Sequence, residues 1–367
     1  MPLQIIPFAP QHVPAVKAFN QRMVAGNAAS DFPLPTYPIS AATGNSSVIH
    51  WTHFVVVDGD EVRGGVLEMD QPGWLDGQEV RAINFQSPLS EGIVDPKHSM
   101  VAIKLVRFEE KQGKAVFMVG MSSQEKPLPR LLSAAGWSVR PVPFLFRVHR
   151  AGRFLKELRV LHADMFRGFA TRAARWTGAG FIGISLLQHR RVSCHGAVRE
   201  ERNWGPWADE IWNMYRDNCS FAVKRDRRTL SSLYPSDDPK LQILVILRDQ
   251  KPVGWAVCLN TRFVNHRHFG NLQVGSILDC VASPDAMVLT AVLADRQLSS
   301  AGADLVLVNH SHAEWVKAFR SSGFLVGPSN YLLAVSKRLA EAVRSIQGGE
   351  QRMHITRGDG DGRIHLA

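Results

Sequence analysis

Apolar and polar residues alternate along this chain in strand-like and helix-like rhythms, and the same succession of rhythms occurs twice. In the C-terminal half, the apolar runs Leu241–Leu247 and Val253–Asn260 flank the polar turn Arg248–Pro252, which predicts a β-hairpin. Val274–Ala282 predicts a third strand. Pro284–Ala301 then predicts a helix opened by proline and closed by Gly302. A short strand follows at Asp304–Asn309, a helix at His312–Ser322 closed by Gly323, and a last strand at Tyr331–Val335. That order predicts a central sheet with helices packed on it.

The N-terminal half repeats the order. Pro10–Ala25 places Val13, Val16, Phe19 and Met23 on one helical face. The proline-rich stretch Pro33–Ser47 predicts a loop, either a plain connection or a substrate-binding loop. Phe54–Val57 and Val62–Met69 flank Asp58-Gly59-Asp60 as a hairpin, and Val80–Phe85 is the next strand. Pro96 and Ser99 lead into a helix over Met100–Lys111; Ala115–Gly120, Leu128–Ala135 and Pro143–Val148 complete a strand, a helix and a strand. Gly64, Gly113 and Gly136 match Gly254, Gly302 and Gly323 at spacings that agree within two residues. The chain therefore reads as two copies of one unit, at 1–150 and 200–340, in the α/β (α+β) class: two mixed twisted sheets flanked by helices.

Between the copies, 151–199 predicts a basic interdomain helix and linker. Phe154, Leu158, Leu161, Met165, Phe169 and Trp176 line one face, and arginines crowd the rest. Such a stripe either packs on a domain or lets 153–176 lie on an anionic membrane. Trp207–Cys219 is the first helix of the second copy. The tail, 341–367, is polar and glycine-rich beyond Gln347 and predicts a flexible or surface-draped end; Arg357–Gly362 has too few acids for a calcium loop.

Composition narrows this picture. Among 367 residues, 45% are apolar and 21% charged, as in globular proteins. The net charge of +10 favours anionic partners, yet the basic residues are dispersed and form no nucleic-acid recognition motif. Four scattered cysteines and no leader-like start predict a reducing, cytoplasmic setting. The histidines His266, His268, His310 and His312 lack ligand spacing, so no metal is expected.

Three local features carry a resemblance. Glycine opens the second hairpin strand in Val62-Arg63-Gly64-Gly65 and in Val253-Gly254-Trp255. A strand enters a helix through proline in Asp95-Pro96-Lys97-His98 and in Ser283-Pro284-Asp285-Ala286. A helix ends in glycine and an aromatic residue in Ala134-Ala135-Gly136-Trp137 and in Ser321-Ser322-Gly323-Phe324. With the element order, both copies resemble the GCN5-related N-acetyltransferase (GNAT) fold. The resemblance implies acetyl-CoA or another acyl-CoA as co-substrate. Its pantetheine arm would lie on a splayed strand and its pyrophosphate at the next helix N-terminus.

Carried over by position, the pantetheine strands are Ile83–Ser87, with Phe85, Gln86 and Ser87, and Leu278–Ser283, with Val281 and Ala282. The phosphate loops are Lys97–Met100, with Lys97, His98 and Ser99, and Asp285–Val288, with Ala286 and Met287. Neither loop has the family's glycines, and Leu132 and Phe319 stand where the family often has a proton-donating tyrosine. Glu91, Asp279 and His310 are the candidate general bases, at strand ends expected to face a cleft. Cys219–Pro235 is similar to a segment of tandem GNAT-like proteins of surface-polysaccharide gene clusters, including FemAB relatives. That likeness implies an amino-sugar or glycan-precursor acceptor, for which Trp204, Trp207, Trp212 and Tyr215 offer stacking faces or simply core packing. Two readings stay open: an acyl-CoA-dependent N-acyltransferase acting on a small-molecule or glycan amine, or a non-catalytic binding or assembly protein of the same fold.

Overall fold

The computed structural model describes residues 2–28, 33–37, 48–121, 123–158, 194–266 and 268–360. Most of the linker stripe and part of the Pro33–Ser47 loop lie outside these residues. In the first unit, β1 (Gln4–Pro7) precedes α1 (Val13–Ala25), the long strands β2 (His50–Asp58), β3 (Glu61–Leu75) and β4 (Gln78–Ser90), and α2 (Met100–Lys111). Then come β5 (Ala115–Met121), α3 (Pro127–Ala134), β6 (Ser138–Pro141) and β7 (Phe144–Val148), followed by α4 (Ala151–Leu158). The second unit begins with β8 (Ala197–Glu201), α5 (Trp207–Tyr215), β9 (Phe221–Val223) and α6 (Arg227–Leu233). It continues through β10 (Gln242–Arg248), β11 (Lys251–Arg262), β12 (Gln273–Ala282), α7 (Met287–Ser300), β13 (Leu305–Asn309) and α8 (Ala313–Ser321). It ends with β14 (Leu325–Gly327), β15 (Leu332–Val335), α9 (Lys337–Arg344) and β16 (Met353–His354).

The glycine shared by the two hairpins has one packing role in both units. A Cβ on Gly64 would lie 2.7 Å from Val101 Cγ1, and one on Gly254 would run into Thr290 Oγ1 and sit 2.8 Å from the Ala282 Cβ. Each glycine therefore lets the first turn of the following helix, α2 or α7, settle directly on the sheet.

The two units exchange their last strands, which periodicity did not reveal. The first sheet runs β1-β2-β3-β4-β5-β15-β6 and the second β14-β7-β13-β12-β11-β10-β8. Thus β15 pairs antiparallel with both β5 and β6, while β7 pairs with β13 and β14. The boundary near residue 150 divides the sequence but not the sheets. In addition, β9 extends the edge of β3, and β16 lies parallel to β9. One continuous core runs through the junction, where Phe117 meets Phe221 edge-on at 5.7 Å and Trp74 meets Trp212 at 6.4 Å.

The tail corrects the expectation of a loose end. Met353, His354, Ile355 and Thr356 are completely buried, and Asp359 is 1% exposed. Composition misled here because glycines and charges suit a close-fitted, ion-paired segment as well as a solvated one.

A separate chain of residues 1–150 would lack β15 between β5 and β6 and would expose the Phe117 and Trp74 faces. We expect that fragment to show no cooperative thermal transition by circular dichroism; a dispersed amide NMR spectrum with a sharp melt would contradict the exchange.

Candidate active site: two clefts, one filled

Each unit contains a pair of parallel strands that begins paired and then separates. In the first, β4 and β5 are in register only from Ala82–Asn84 to Ala115–Phe117. Beyond that point β4 bulges: its register against β3 shifts between Gly65 and Leu67, and Ser87 adopts φ +47°. A left-handed serine turns the strand away from β5. Gln86–Leu89 are half-buried, and across the gap Gly120 is half-buried as well. The Phe85 side chain points away from the gap into the core beside Trp137, at 6.1 Å, so only its backbone can serve a ligand there.

The loop closing this cleft folds as two single turns, Glu91–Ile93 and Pro96–His98, leading into α2. Gly92 makes the fold possible: a Cβ there would lie 2.7 Å from Ser99 Cα and 2.9 Å from the His98 carbonyl oxygen. Sequence reading, which looked for glycines later in the loop, missed this one. Lys97 is exposed and pairs with Asp95 at 2.8 Å; Asp95 also accepts the Lys97 N–H at 3.2 Å. His98 is mostly buried, and among the described residues its Nε2 accepts or donates no hydrogen bond. Ser99 and Met100 are exposed at the helix start. Lys97 and the exposed helix start thus share this loop with the Asp95 carboxylate, which also lies 3.9 Å from the buried His98 Nε2.

Glu91 does not face this cleft. It sits behind the loop, hydrogen-bonded to Arg22 Nε at 2.7 Å and to Arg63 Nη1 at 3.1 Å. Burial alone would raise its pKa, but the two guanidiniums outweigh it and hold the carboxyl below its ordinary range. A carboxylate so held is a poor base, which corrects its expected role.

In the second unit, β12 and β13 are paired from Val274–Ile277 to Leu305–Val308 and then diverge, with a bulge at Leu278. This cleft is filled by the chain itself. Residues 353–359 pass between the strands: Thr356 bridges His310, Ser311 donates its N–H to the Ile355 carbonyl at 3.0 Å, and Ser311 Oγ accepts the Ile355 N–H at 2.8 Å. The other expected contacts are closed off too. Val281 and Ala282 are buried against Trp255 and Gly254, Ala286 and Met287 are buried, and the exposed Asp285 is tied to Arg248.

Asp279 and His310 lie inside this filled cleft. Arg225, with no exposed surface, donates from Nε to Asp279 at 2.8 Å and from Nη2 to both oxygens of Asp359 at 2.7 Å. Asp279 also accepts the Tyr234 hydroxyl at 3.0 Å, Thr356 Oγ1 at 3.2 Å and His354 Nε2 at 3.2 Å. Tyr215 closes the chain by donating its hydroxyl to His354 Nδ1 at 2.8 Å. Burial pulls the His354 pKa down to about 4 despite Asp279, so the ring is neutral, with its proton on Nε2. Burial opposes charge on Asp279, yet Arg225 and His354 together hold it below the ordinary range. Asp359 is instead pushed up, by burial and by the Asp279 charge. His310 stacks on Trp315 at 5.5 Å, and burial drives its pKa well down. The Tyr215–His354–Asp279 series is a relay by geometry, but no substrate reaches it. Asp279 and His310 are therefore corrected from cleft-facing bases to parts of a sealed network.

The proposed stacking platform fails for the same reason: Trp204, Trp207, Trp212 and Tyr215 are 4, 9, 1 and 0% exposed. Within Cys219–Pro235, Phe221, Arg225, Leu230 and Tyr234 are all fully buried at the junction, which gives the segment a packing role. Among the described residues no cluster of three or more His, Cys, Asp or Glu could hold a metal ion, and no helix is long and apolar enough to cross a membrane. A groove of about 550 Å³ beside β1 and α2, lined by Leu3, Ile5, Ile103, Lys104 and Phe108, also reaches Met100 at the start of α2.

Two expectations follow from the network. Arg225→Met leaves two buried carboxylates facing each other and should cost about 3–5 kcal/mol of stability, read from urea unfolding at pH 7.5. His354, and His53 whose pKa burial also lowers to about 4, stay neutral in the folded chain while the unfolded chain takes up protons below about pH 6.5. Stability should therefore fall between pH 6.5 and 4, by up to about 1.4 kcal/mol per pH unit for each such histidine. His354→Gln should flatten that dependence; an unchanged slope would remove His354 as its source.

No family model matches this sequence, and no curated protein matches it. Solved structures do share its fold. A probable N-acyltransferase from Enterococcus faecalis, a conserved protein of unknown function, aligns over 94% of this chain and 75% of its own, at 10% identity and a TM-score of 0.53. A GCN5-related N-acetyltransferase from Anabaena variabilis aligns over 91% and 72%, at 10% identity and 0.54. A Saccharomyces cerevisiae N-myristoyltransferase with bound myristoyl-CoA aligns over 91% and 82%, at 10% identity and 0.51. The chain thus has the GNAT fold, in the doubled form that its repeat implied.

Proposed function

We propose that the chain is an acyl-CoA-dependent N-acyltransferase whose single acyl-CoA site is the open cleft of the first unit. The observation carrying this is the divergence of β4 from β5 after Asn84 and Phe117, with the Ser87 bulge leaving Gln86–Leu89, among the described residues, unpaired with β5. An amide-containing pantetheine arm fits such a strand edge because it offers the hydrogen bonds that the missing strand would make. Its phosphates would meet Lys97 and the exposed start of α2, and would compete with Asp95 for His98 Nε2, 3.9 Å from that carboxylate. The fit is partial, since Asp95 already caps the Lys97 N–H. Similar folds solved as N-acyltransferases, one with an acyl-CoA bound, support the same chemistry.

The reaction would be direct attack by an amine on the thioester carbonyl. The C–N bond forms, the C–S bond breaks, and the thiolate leaves with the electron pair while the amine's surplus proton passes to water. Backbone N–H groups of the splayed strand would polarise the carbonyl. Leu132 and Phe319 are both fully buried and carry no proton to give, so the leaving thiolate would be protonated by solvent. We take the acyl group to be acetyl and the acceptor a small amine; the buried tryptophans withdraw support from a sugar-stacking platform. Four unpaired cysteines suit a reducing compartment. A second reading, a non-catalytic binding or assembly protein of the same fold, is favoured by one observation, the Asp95 carboxylate, which repels phosphate at that end of the cleft.

Titration calorimetry with acetyl-CoA should find one equivalent per chain. Lys97→Ala or His98→Ala should weaken it about tenfold, the scale of one charge-assisted contact, while Asp285→Ala should leave it unchanged. No binding at millimolar ligand would refute the enzyme reading, as would binding without release of free thiol in the presence of amines; either outcome selects the second.

A further inference from the structure

The C-terminal strap, 349–360, touches both clefts. In the second it makes strand-like contacts through Ile355 and Thr356, and Arg225 locks it in place through Asp359. Gly358 leaves no room for a side chain between Tyr234 and Asp279. One residue further, the strap enters the first unit. Asn84, the last paired residue of β4 and so the vertex of the open cleft, donates its side-chain N–H to the Asp359 carbonyl. A Cβ on Gly360 would lie 2.9 Å from Val119 Cγ1, on β5 just past the point where the strands part. Tyr331, beside β15, donates its hydroxyl to the Arg357 carbonyl at 3.4 Å, and Arg357 Nε reaches Asn309 Oδ1 at 3.0 Å. A single residue, Asp359, is thus held by its side chain in one cleft and by its carbonyl at the vertex of the other.

We propose that the strap is the resident occupant of the second cleft and that Asp359 is a positioning residue for the first, fixing through Asn84 the point where β4 and β5 part. This rests on the reading of the first cleft as the acyl-CoA site. The filled cleft cannot accept a second ligand without ejecting into solvent a segment in which Met353, His354, Ile355, Thr356, Arg357 and Asp359 are all hydrogen-bonded or ion-paired, so the protein binds one acyl-CoA. Freeing the Asp359 carboxylate loosens the strap, and the loss is felt at Asn84 in the other unit. Coupling of this kind needs one element with contacts at both sites, and here that element is covalently continuous.

The test uses the full chain and two conservative variants. Asp359→Asn keeps the size of the side chain and relieves the excess of two carboxylates over one guanidinium, so the fold is retained; Asn84→Ala removes the vertex contact itself. Each should weaken acetyl-CoA binding about fivefold, and the double variant no further, because both act through one contact. Additive losses, unchanged binding in both variants, or two equivalents of acetyl-CoA bound by the parent chain would overturn the proposal. Amide exchange supplies an arm that does not depend on function. The N–H groups of Ser311, Ile355 and Thr356 should exchange as slowly as those of β12 in the parent chain and faster in Asp359→Asn. Fast exchange in the parent would overturn the occupancy of the second cleft, whereas slow exchange without any acetyl-CoA binding would refute only the functional reading.

Discussion

A guanidinium cut off from water has to find its counter-charge inside the protein, and Arg225 finds it in two places that are far apart in sequence. Asp279 comes from the central strand of the second unit and Asp359 from near the end of the chain. Separate desolvation of these groups would cost several kcal/mol each. The cost is met only if β12, the β9–α6 connection and the strap arrive together. The cluster therefore specifies an arrangement more than it adds stability: any docking of the strap that leaves Asp359 elsewhere takes both acceptors from the buried Arg225 Nη2. Tyr234, Thr356 and His354 use up the remaining lone pairs of Asp279, so the network is closed on all sides.

This closure makes the exchange of β7 and β15 intelligible. Two units that each finished their own sheet would meet only through surface side chains. With the last strands crossed, the backbone ladders themselves join the units, and the junction acquires a core containing Phe117, Phe221, Trp74 and Trp212. The strap is then a third crossing, laid over the join after β15 has brought the chain back to the first sheet.

Much of the local architecture was legible in the sequence. The hairpins, the helices after Pro96 and Pro284, and the duplicated glycines were visible because each follows from short-range sterics or periodicity. Gly64 and Gly254 could be matched by eye, and their shared packing explains why both units need them. The exchange was invisible for an equally physical reason. Phe144–Val148 and Leu332–Val335 are apolar strands of the same kind, and either sheet accepts either one by pattern alone. The site was less legible still. Glu91 and His310 follow the ends of β4 and β13 and Asp279 lies within β12, but a carboxylate's neighbours decide whether it is a base or a counter-ion. Arg22, Arg63 and Arg225 are 69, 28 and 54 residues away from their partners. The tail was misread because composition reports affinity for water only when charges are unpaired, and Asp359 is paired.

Duplication gives a protein two clefts where chemistry needs one. A parallel pair of strands that diverges is costly to leave open, because the backbone groups along the gap lose their partners. The second unit resolves this with its own chain: Ile355 and Thr356 pair with His310 and Ser311 just past β13, His354 and Thr356 reach Asp279 of β12 by their side chains, and its helix start is buried at Ala286 and Met287. The first unit leaves Gln86–Leu89 and the start of α2 accessible. The same divergence is thus structural in one copy and available in the other. What distinguishes them is the path of twelve residues beyond the repeat, 349–360, together with Asp279 within β12, which holds that path through Arg225, His354 and Thr356.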